Sequence, residues 1–232
     1  MLNDSVLTII NQSRPQGWVL EPDAKTILAA YGLPAPPRAW ARNLDQALLE
    51  AATIGYPVAA KVVSPAVIHK SEVQGVTAGL KNDSELSEFY QRVSGLPEFQ
   101  GVLVEGMAEG VELIVGAKID HQFGPVILLG IGGTSVEIYQ DVALRMAPLT
   151  EQDVTTMVGE LKGSRLLNGY RGAAVIDHAA LNTFLLRFSE LVMDLAPEME
   201  SIDINPLFCS DHGCLAADAR IMLSTGPVTI PK

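Results

Sequence analysis

Three apolar, β-branched-rich runs lie close together in the middle of the chain: Gly101 to Met107, Val111 to Ile119 and Val126 to Ile131. Runs of this length and composition are strand signals, and Asp120 to Pro125 between the last two is a turn. The spacing predicts an antiparallel meander. The pattern before residue 100 is different, because helical and strand periods alternate there. Pro22 suits a first helical position, and Ala24, Ile27, Leu28 and Tyr31 share one face. Asn43 caps a second helix with Leu44, Ala47, Leu48 and Ala51 inward, and Gly55 stops it. Tyr56 to Ser64 and Val76 to Lys81 read as strands, and Ser84 to Val93 as a helix. The expected class is therefore α+β (α/β), in two subdomains with a boundary near residue 100. Residues 1–20, with a short helix from Asp4 to Ser13, form an expected N-terminal arm. Residues 21–100 form the first subdomain and 101–232 the second.

The second half closes with two capped helices and a hairpin. Thr150 with Asp153 starts a helix running to about Leu161. Asp177 starts a long one to about Leu195, with Leu181, Phe184, Leu185, Phe188, Leu191, Val192 and Leu195 as its stripe. Val142 to Ala147 adds a strand. Met199 to Asn205 and Leu215 to Ala219 read as paired strands, with Met199, Ser201, Asp203 and Asn205 on one face.

Composition limits the function classes. Of 232 residues, 48% are hydrophobic and 19% charged, so the chain carries a real core. The net charge of −11 argues against a broad grip on nucleic acid or anionic lipid. There is no apolar run of ~18 residues to span a bilayer and no basic start typical of a signal peptide. Only two cysteines occur, Cys209 and Cys214, too few for a disulfide scaffold, and they read as bystanders. The default is a cytoplasmic enzyme or subunit.

Several residues stand out chemically. Lys61 interrupts the otherwise apolar Val58 to Val63. It must reach water, a carboxylate or a bound anion, or else it is an edge-strand or snorkelling lysine. The loop 64–75 holds Ser64, His69, Lys70 and Ser71. His69 is a base, ligand or phosphoryl acceptor, or a plain solvated loop histidine. Gly130-Ile131-Gly132-Gly133-Thr134-Ser135 is an anion cradle or a tight turn. Glu105, Glu112 and Glu137 recur at strand positions. If the closing strands pair, Asn205 and Asp218 converge as hard oxygen ligands of the kind Mg²⁺ takes together with phosphates; the alternative is a hairpin whose Asn-Pro starts a turn. Arg145, in Val142 to Ala147, needs an anionic partner.

In order along the chain, these motifs resemble an ATP-grasp domain of the NDP-forming acyl-CoA synthetase family, specifically the β subunit of ADP-forming acetate–CoA ligase. The stretches that carry the resemblance are Tyr56 to Lys61, Ile68 to Val76, Gly110 to Gly116, Phe123 to Val126 and Gly130 to Gly133. They continue through Glu137 to Leu149, Asp203 to Leu207 and Asp218 to Arg220. The resemblance implies an ATP-grasp fold in which two α+β subdomains grip ATP or ADP with Mg²⁺. It implies phosphate binding by Lys61, an adenine hinge at Glu105 and Met107, and Glu112 at the ribose or phosphates. Ser64 and Arg145 complete the nucleotide-binding set, and Asn205 and Asp218 hold the metal. The implied reaction is acyl-CoA + ADP + phosphate ⇌ acid + CoA + ATP through phosphohistidine. His69, on a mobile loop, carries phosphate. An α subunit would supply the CoA-binding and phosphohistidine domains, as a heterotetramer. The other readings are a regulatory module of a protein acetyltransferase-type system and a succinyl-CoA synthetase-like β subunit.

Overall fold

The computed structural model describes residues 2–133, 141–170, 175–224 and 226. Thr134, Ser135, Glu137, Arg171 and Gly172 lie outside them. In chain order the elements are α1 (Asp4–Ser13), β1 (Trp18–Val19), α2 (Glu21–Ala30), β2 (Arg38–Ala41), α3 (Leu44–Ile54), β3 (Val58–Val62), β4 (Val76–Leu80), α4 (Asp83–Val93) and β5 (Val102–Gly106). They continue with β6 (Val111–Asp120), β7 (Gly124–Ile131), β8 (Val142–Met146), α5 (Glu151–Glu160), α6 (His178–Leu195), β9 (Met199–Ser210), β10 (Gly213–Ala216) and β11 (Ala219–Leu223). Short side chains start the helices. Asn43, Asn82 and Asp177 each accept an N–H from three residues on, and Thr150 and Asp153 form a reciprocal capping box.

The chain divides into two compact units, one of Pro36–Ala108 and one of Met1–Ala35 with Glu109–Lys232. The smaller unit is a four-stranded antiparallel sheet of order β2-β5-β3-β4. Ala47 and Ala51 of α3 and Leu86, Phe89 and Val93 of α4 share its core with Val58, Ala60, Val62, Val102 and Val104. The alternation along β3 and β5 therefore points Lys61, Leu103 and Glu105 to the other face.

The larger unit is an antiparallel sheet of order β1-β11-β9-β6-β7-β8, with β10 also on β9. One face is apolar. Leu113, Val115, Ile127, Leu129, Ile202 and Ile204 share a core with Phe184, Leu185, Phe188, Leu191 and Val192 of α6 and with Ile27 and Leu28 of α2. The other face carries Ile114, Gly116, Lys118, Leu128, Leu144, Ser201 and Asp203, which border a cavity of about 590 Å³.

Five expectations differ from this arrangement. The meander is broken, because β5 pairs with β2 and β3 while β6 and β7 pair with each other. The N-terminal segment is no arm: Val6 and Ile10 are buried, and β1 pairs with β11. For both reasons the division by contacts falls after Ala35 and Ala108 rather than near residues 20 and 100. The closing strands are three rather than two, with the β9–β10 turn at Asp211 and His212. Met199 is also buried on the core face. The register shifts between Met222 and Leu223, so Leu223 meets Met199 and the phase is displaced by one residue at that end.

Two measurements check this packing. Phe188 is fully buried, so Phe188→Ala is expected to cost about 3–5 kcal/mol in denaturant unfolding, while Leu49→Ala on the exposed face of α3 stays within about 0.5 kcal/mol. Burial and a 2.8 Å hydrogen bond to Asp83 push the Tyr56 hydroxyl up to about 12 from its usual 10.0. A proton held more tightly when folded stabilises fully below the unfolded pKa and is lost as pH rises through the folded one. Unfolding measured between about pH 9 and 12 should show a smaller alkaline loss in Tyr56→Phe than in the parent.

Candidate functional site

Lys61 is buried, and its ammonium lies 2.7 Å from Glu105 Oε2, itself buried. Its anionic requirement is thus met by a carboxylate one strand away. In the β3–β5 ladder Ala59 faces Glu105 and Lys61 faces Leu103, so the pair is diagonal on one face. Met107 follows β5 half-exposed, and its sulfur accepts the Gly79 N–H at 3.3 Å.

The loop after β3 is internally tied. The buried Ser64 hydroxyl donates to the Pro97 carbonyl at 2.6 Å and accepts the Ala66 N–H at 3.1 Å. It fixes the start of the loop, and its hydroxyl proton is engaged there rather than offered to a ligand. His69 is exposed and leads into a single 3₁₀ turn, Lys70–Val73. Gly75 donates to the Lys70 carbonyl at 2.7 Å and sits so close to Val62 that a Cβ would come within 2.6 Å of its methyl. That close approach returns the chain to β4 and leaves His69 at the outer end of the loop.

In the larger unit, β9 carries one residue more than its partner β6. Leu113 faces Leu207 and Val115 faces Ile204, so two steps on β6 match three on β9. The extra residue falls at Asn205-Pro206, whose peptide is cis. Such a bulge keeps Ile204 and Leu207 both in the core and turns Asn205 out, where it is exposed. On the other side, Ala219 faces Ile204 and Arg220 faces Asp203. The Ala217 N–H donates to the Pro206 carbonyl at 3.0 Å, which extends the same register and sets Asp218 opposite Asn205. The half-buried Asp218 and exposed Asn205 are thus brought together by chain geometry. Arg220 donates to Asp203 Oδ2 at 3.1 Å beside them. Glu112 is exposed on β6, opposite Phe208.

The other expected residues are placed differently. Arg145 lies beside Ile127 on the helix-facing side of β8, where it donates to Glu160 at 2.5 Å and to Thr156 at 3.0 Å. That pairing holds the Glu160 carboxyl below its usual range. The anion Arg145 requires is this glutamate, so the residue is structural and on the opposite face from Asp203. In the glycine-rich segment, the Gly132 N–H donates to the Glu112 carbonyl at 2.6 Å, and a Cβ there would come within 2.9 Å of that backbone. Close strand approach accounts for this glycine. Cys209 and Cys214, expected as bystanders, form a disulfide across the β9–β10 hairpin, where they are register partners 4.2 Å apart at Cα. One feature went unread in the sequence. Lys25 and Glu21 of α2 form a buried pair at 2.9 Å, with Lys25 Nζ also 2.5 Å from the Ala217 carbonyl. The signal was a charged pair four residues apart, with Lys25 flanked by the core residues Ala24 and Leu28.

Among the described residues no three His, Cys, Asp or Glu side chains gather as a metal centre. Asn205 and Asp218 offer two side-chain oxygens of the hard type. Mg²⁺ keeps several waters and takes one or two protein oxygens together with substrate phosphates, rather than a full protein cage.

This architecture is that of the ATP-grasp domain family, whose model matches residues 11–223, and the chain belongs to that family. It is 40% identical over 220 residues to the acetate–CoA ligase [ADP-forming] I subunit beta of Pyrococcus furiosus, covering 91% of this chain and 93% of that one. It is 38% identical to the 4-hydroxybutyrate–CoA ligase [ADP-forming] of Nitrosopumilus maritimus, covering 91% of this chain but 31% of that longer one. Among solved structures it is similar to the dinucleotide-forming acetyl-coenzyme A synthetase 1 of Ca. Korarchaeum cryptofilum. The complex with coenzyme A, Ca-AMPCP and HgCl⁺ superposes at a TM-score of 0.87, with 35% identity, over 94% of this chain and 99% of that one. A second structure of that enzyme, at a TM-score of 0.83 and 33% identity over 94% of this chain and all of that one, holds coenzyme A and Mg-AMPPCP with its phosphohistidine segment pointing towards the nucleotide binding site.

The Lys61–Glu105 pair makes its own prediction. Lys61→Met removes the cation beside a buried carboxylate and should cost about 3–5 kcal/mol in urea unfolding, whereas Lys61→Met/Glu105→Leu together should recover most of it.

Proposed function

We propose that this chain is the nucleotide-binding β subunit of an ADP-forming acid–CoA ligase. The reaction interconverts acyl-CoA, ADP and phosphate with acid, CoA and ATP. The observation that carries the reading is the register that sets Asp218 opposite Asn205, in a chain similar over nearly its whole length to such a β subunit. The family resemblance supplies the roles. Lys61 binds nucleotide phosphates, Glu105 and Met107 border the base, and Glu112 meets the ribose or phosphates. Asn205 and Asp218 hold Mg²⁺, which when bound neutralises phosphate charge. His69 shuttles a phosphoryl group.

These residues fit the demands of phosphoryl transfer, which needs positioning and charge neutralisation more than covalent chemistry. Glu105 holds the Lys61 ammonium at a fixed place in the sheet, so its charge is preorganised before phosphates arrive. Asn205 is presented by a bulge in the middle of a sheet rather than by a loop tip. His69 lies exposed at the outer end of its loop, where an imidazole can accept and return a phosphoryl group. The partner is an α-type subunit carrying the CoA-binding and phosphohistidine parts. The longer single-chain relative, of which this chain covers about a third, is consistent with that division. The substrates CoA and ADP place the work in the cytoplasm.

Calorimetric titration of the purified chain with Mg-ADP and Mg-ATP tests the reading. Binding is expected in the micromolar range, and Asn205→Ala is expected to weaken it at least tenfold, about 1.4 kcal/mol. Wild-type affinity in that variant, or no binding by the parent alone and with an α partner, would overturn the metal and nucleotide assignments. With the partner present, His69→Ala should lose ATP-forming turnover while retaining nucleotide affinity; full turnover would remove His69 from the relay.

A further inference from the structure

We propose that Lys25 is a positioning residue for Asp218, and that its buried ammonium tunes the metal preference of the Asn205/Asp218 pair. The inference rests on the reading of that pair as the Mg²⁺ ligands.

Lys25 is fully buried and belongs, with Phe89 and Phe188, to the largest fully buried side chains among the described residues. A methionine or leucine would fill a similar volume without desolvating a charge, and replacing a buried ion pair by apolar residues is often neutral or stabilising. Packing alone therefore does not explain a lysine at this position. Its contacts do. The ammonium is 2.9 Å from Glu21 Oε1 and donates to the Ala217 carbonyl at 2.5 Å. That carbonyl belongs to the peptide plane that ends in the amide nitrogen of Asp218, so fixing it fixes the direction in which Asp218 leaves the chain.

The same residue is held from its other side. The Ala217 N–H donates to the Pro206 carbonyl at 3.0 Å, next to Asn205, and the Ala216 N–H donates to the Pro34 carbonyl at 2.8 Å. Three anchors thus converge on the two residues before Asp218, from α2, from the segment after α2 and from β9. Lys25 supplies the charge-assisted one, which is the strongest type. Glu21, one helical turn earlier on α2, is the carboxylate partner of this ammonium in the core. Lys25 reaches Asp218 through the Ala217 carbonyl, and that is the positioning role proposed for it.

The consequence is chemical. Mg²⁺ demands near-ideal octahedral geometry at short distances, whereas Ca²⁺ accepts six to eight oxygens in flexible arrangements. A rigid Asp218 favours the first, and a loosened one narrows the difference. The experiment is calorimetric titration of ADP into the full chain with Mg²⁺, with Ca²⁺ and with EDTA. The variants are Glu21→Leu/Lys25→Met, in which neither charge is orphaned, and Glu21→Gln, which keeps the Lys25 donor.

The apolar double variant should fold with a melting temperature at or above the parent's. Its affinity for ADP in EDTA should be unchanged, its Mg-ADP affinity should fall about tenfold, and its Mg²⁺ over Ca²⁺ preference should shrink by a similar factor. Glu21→Gln should retain the parental preference. A folded double variant with parental Mg-ADP affinity and parental metal preference would overturn the proposal. If that variant does not fold, Glu21→Gln/Lys25→Gln carries the same test, since the shorter side chain at position 25 ends before Ala217. Asp218→Asn separates the two levels. If it leaves Mg²⁺-dependent binding intact, the metal assignment itself fails. If it removes that binding while the Lys25 variants do not, only the positioning role fails.

Discussion

Strand β9 sets the terms for the larger unit. It is bonded to β6 on one side and to β10 and β11 on the other, and both registers are specified by the need to keep Ile202, Ile204, Leu207 and Cys209 in the core. A slip by one residue would exchange those side chains with Asp203 and Asn205. The chain instead admits one extra residue at Asn205-Pro206, where it costs least, because the inward phase resumes at once at Leu207. The outward turn of Asn205 is therefore a by-product of satisfying the core. Its partner Asp218 follows from the β9–β11 register, one step beyond the last paired residues.

Buried charge is the second theme. Lys25–Glu21 and Lys61–Glu105 each place an ammonium and a carboxylate out of water. Neither pair is a convincing source of net stability, since desolvation offsets most of the attraction. Each fixes a cation next to a position the proposed chemistry uses. Lys61 faces away from its own core, where a phosphate could add to its partners. Lys25 faces inward and holds backbone. The same residue type serves two ends because one lies on the outward phase of a strand and the other on the inward face of a helix.

Much of this was readable in the residues. The caps at Asn43, Thr150 and Asp177 were legible because a cap is a local interaction, decided within three residues. The stripe of α6 was legible because burial on a helix repeats with its pitch. Lys61 was legible as an ammonium that needed an anion, though which anion was not, because Glu105 is on another strand. What failed was non-local. Nothing in Gly101 to Met107 says which sheet it joins, and Gly110 separates it from β6 by a turn that resembles any hairpin. The N-terminal helix looked peripheral because its few apolar residues show their value only once β1 is paired with β11. Arg145 was misplaced for the same reason: its partner Glu160 lies on the helix that follows, and the strand's two faces cannot be told apart before the sheet is built. Lys25 was missed because an i, i+4 Glu–Lys pair is usually a solvated helix face.

The charge balance bears on the proposed metal site. The chain carries a net −11, and Glu112 of β6 and Asp203 of β9 add carboxylates on the strands that carry and border Asn205. A nucleotide polyphosphate approaching those strands meets carboxylates, with Arg220 already engaged by Asp203. Two negative surfaces do not associate without a cation between them, and a divalent ion bridging carboxylate, amide oxygen and phosphate reverses the sign of the interaction. Affinity for nucleotide in such a protein has to depend on the ion far more than on a basic surface. On the proposed assignment, the placement of the few oxygens that hold it then decides affinity. That is where a bulge at Asn205 and three backbone anchors before Asp218 have their effect.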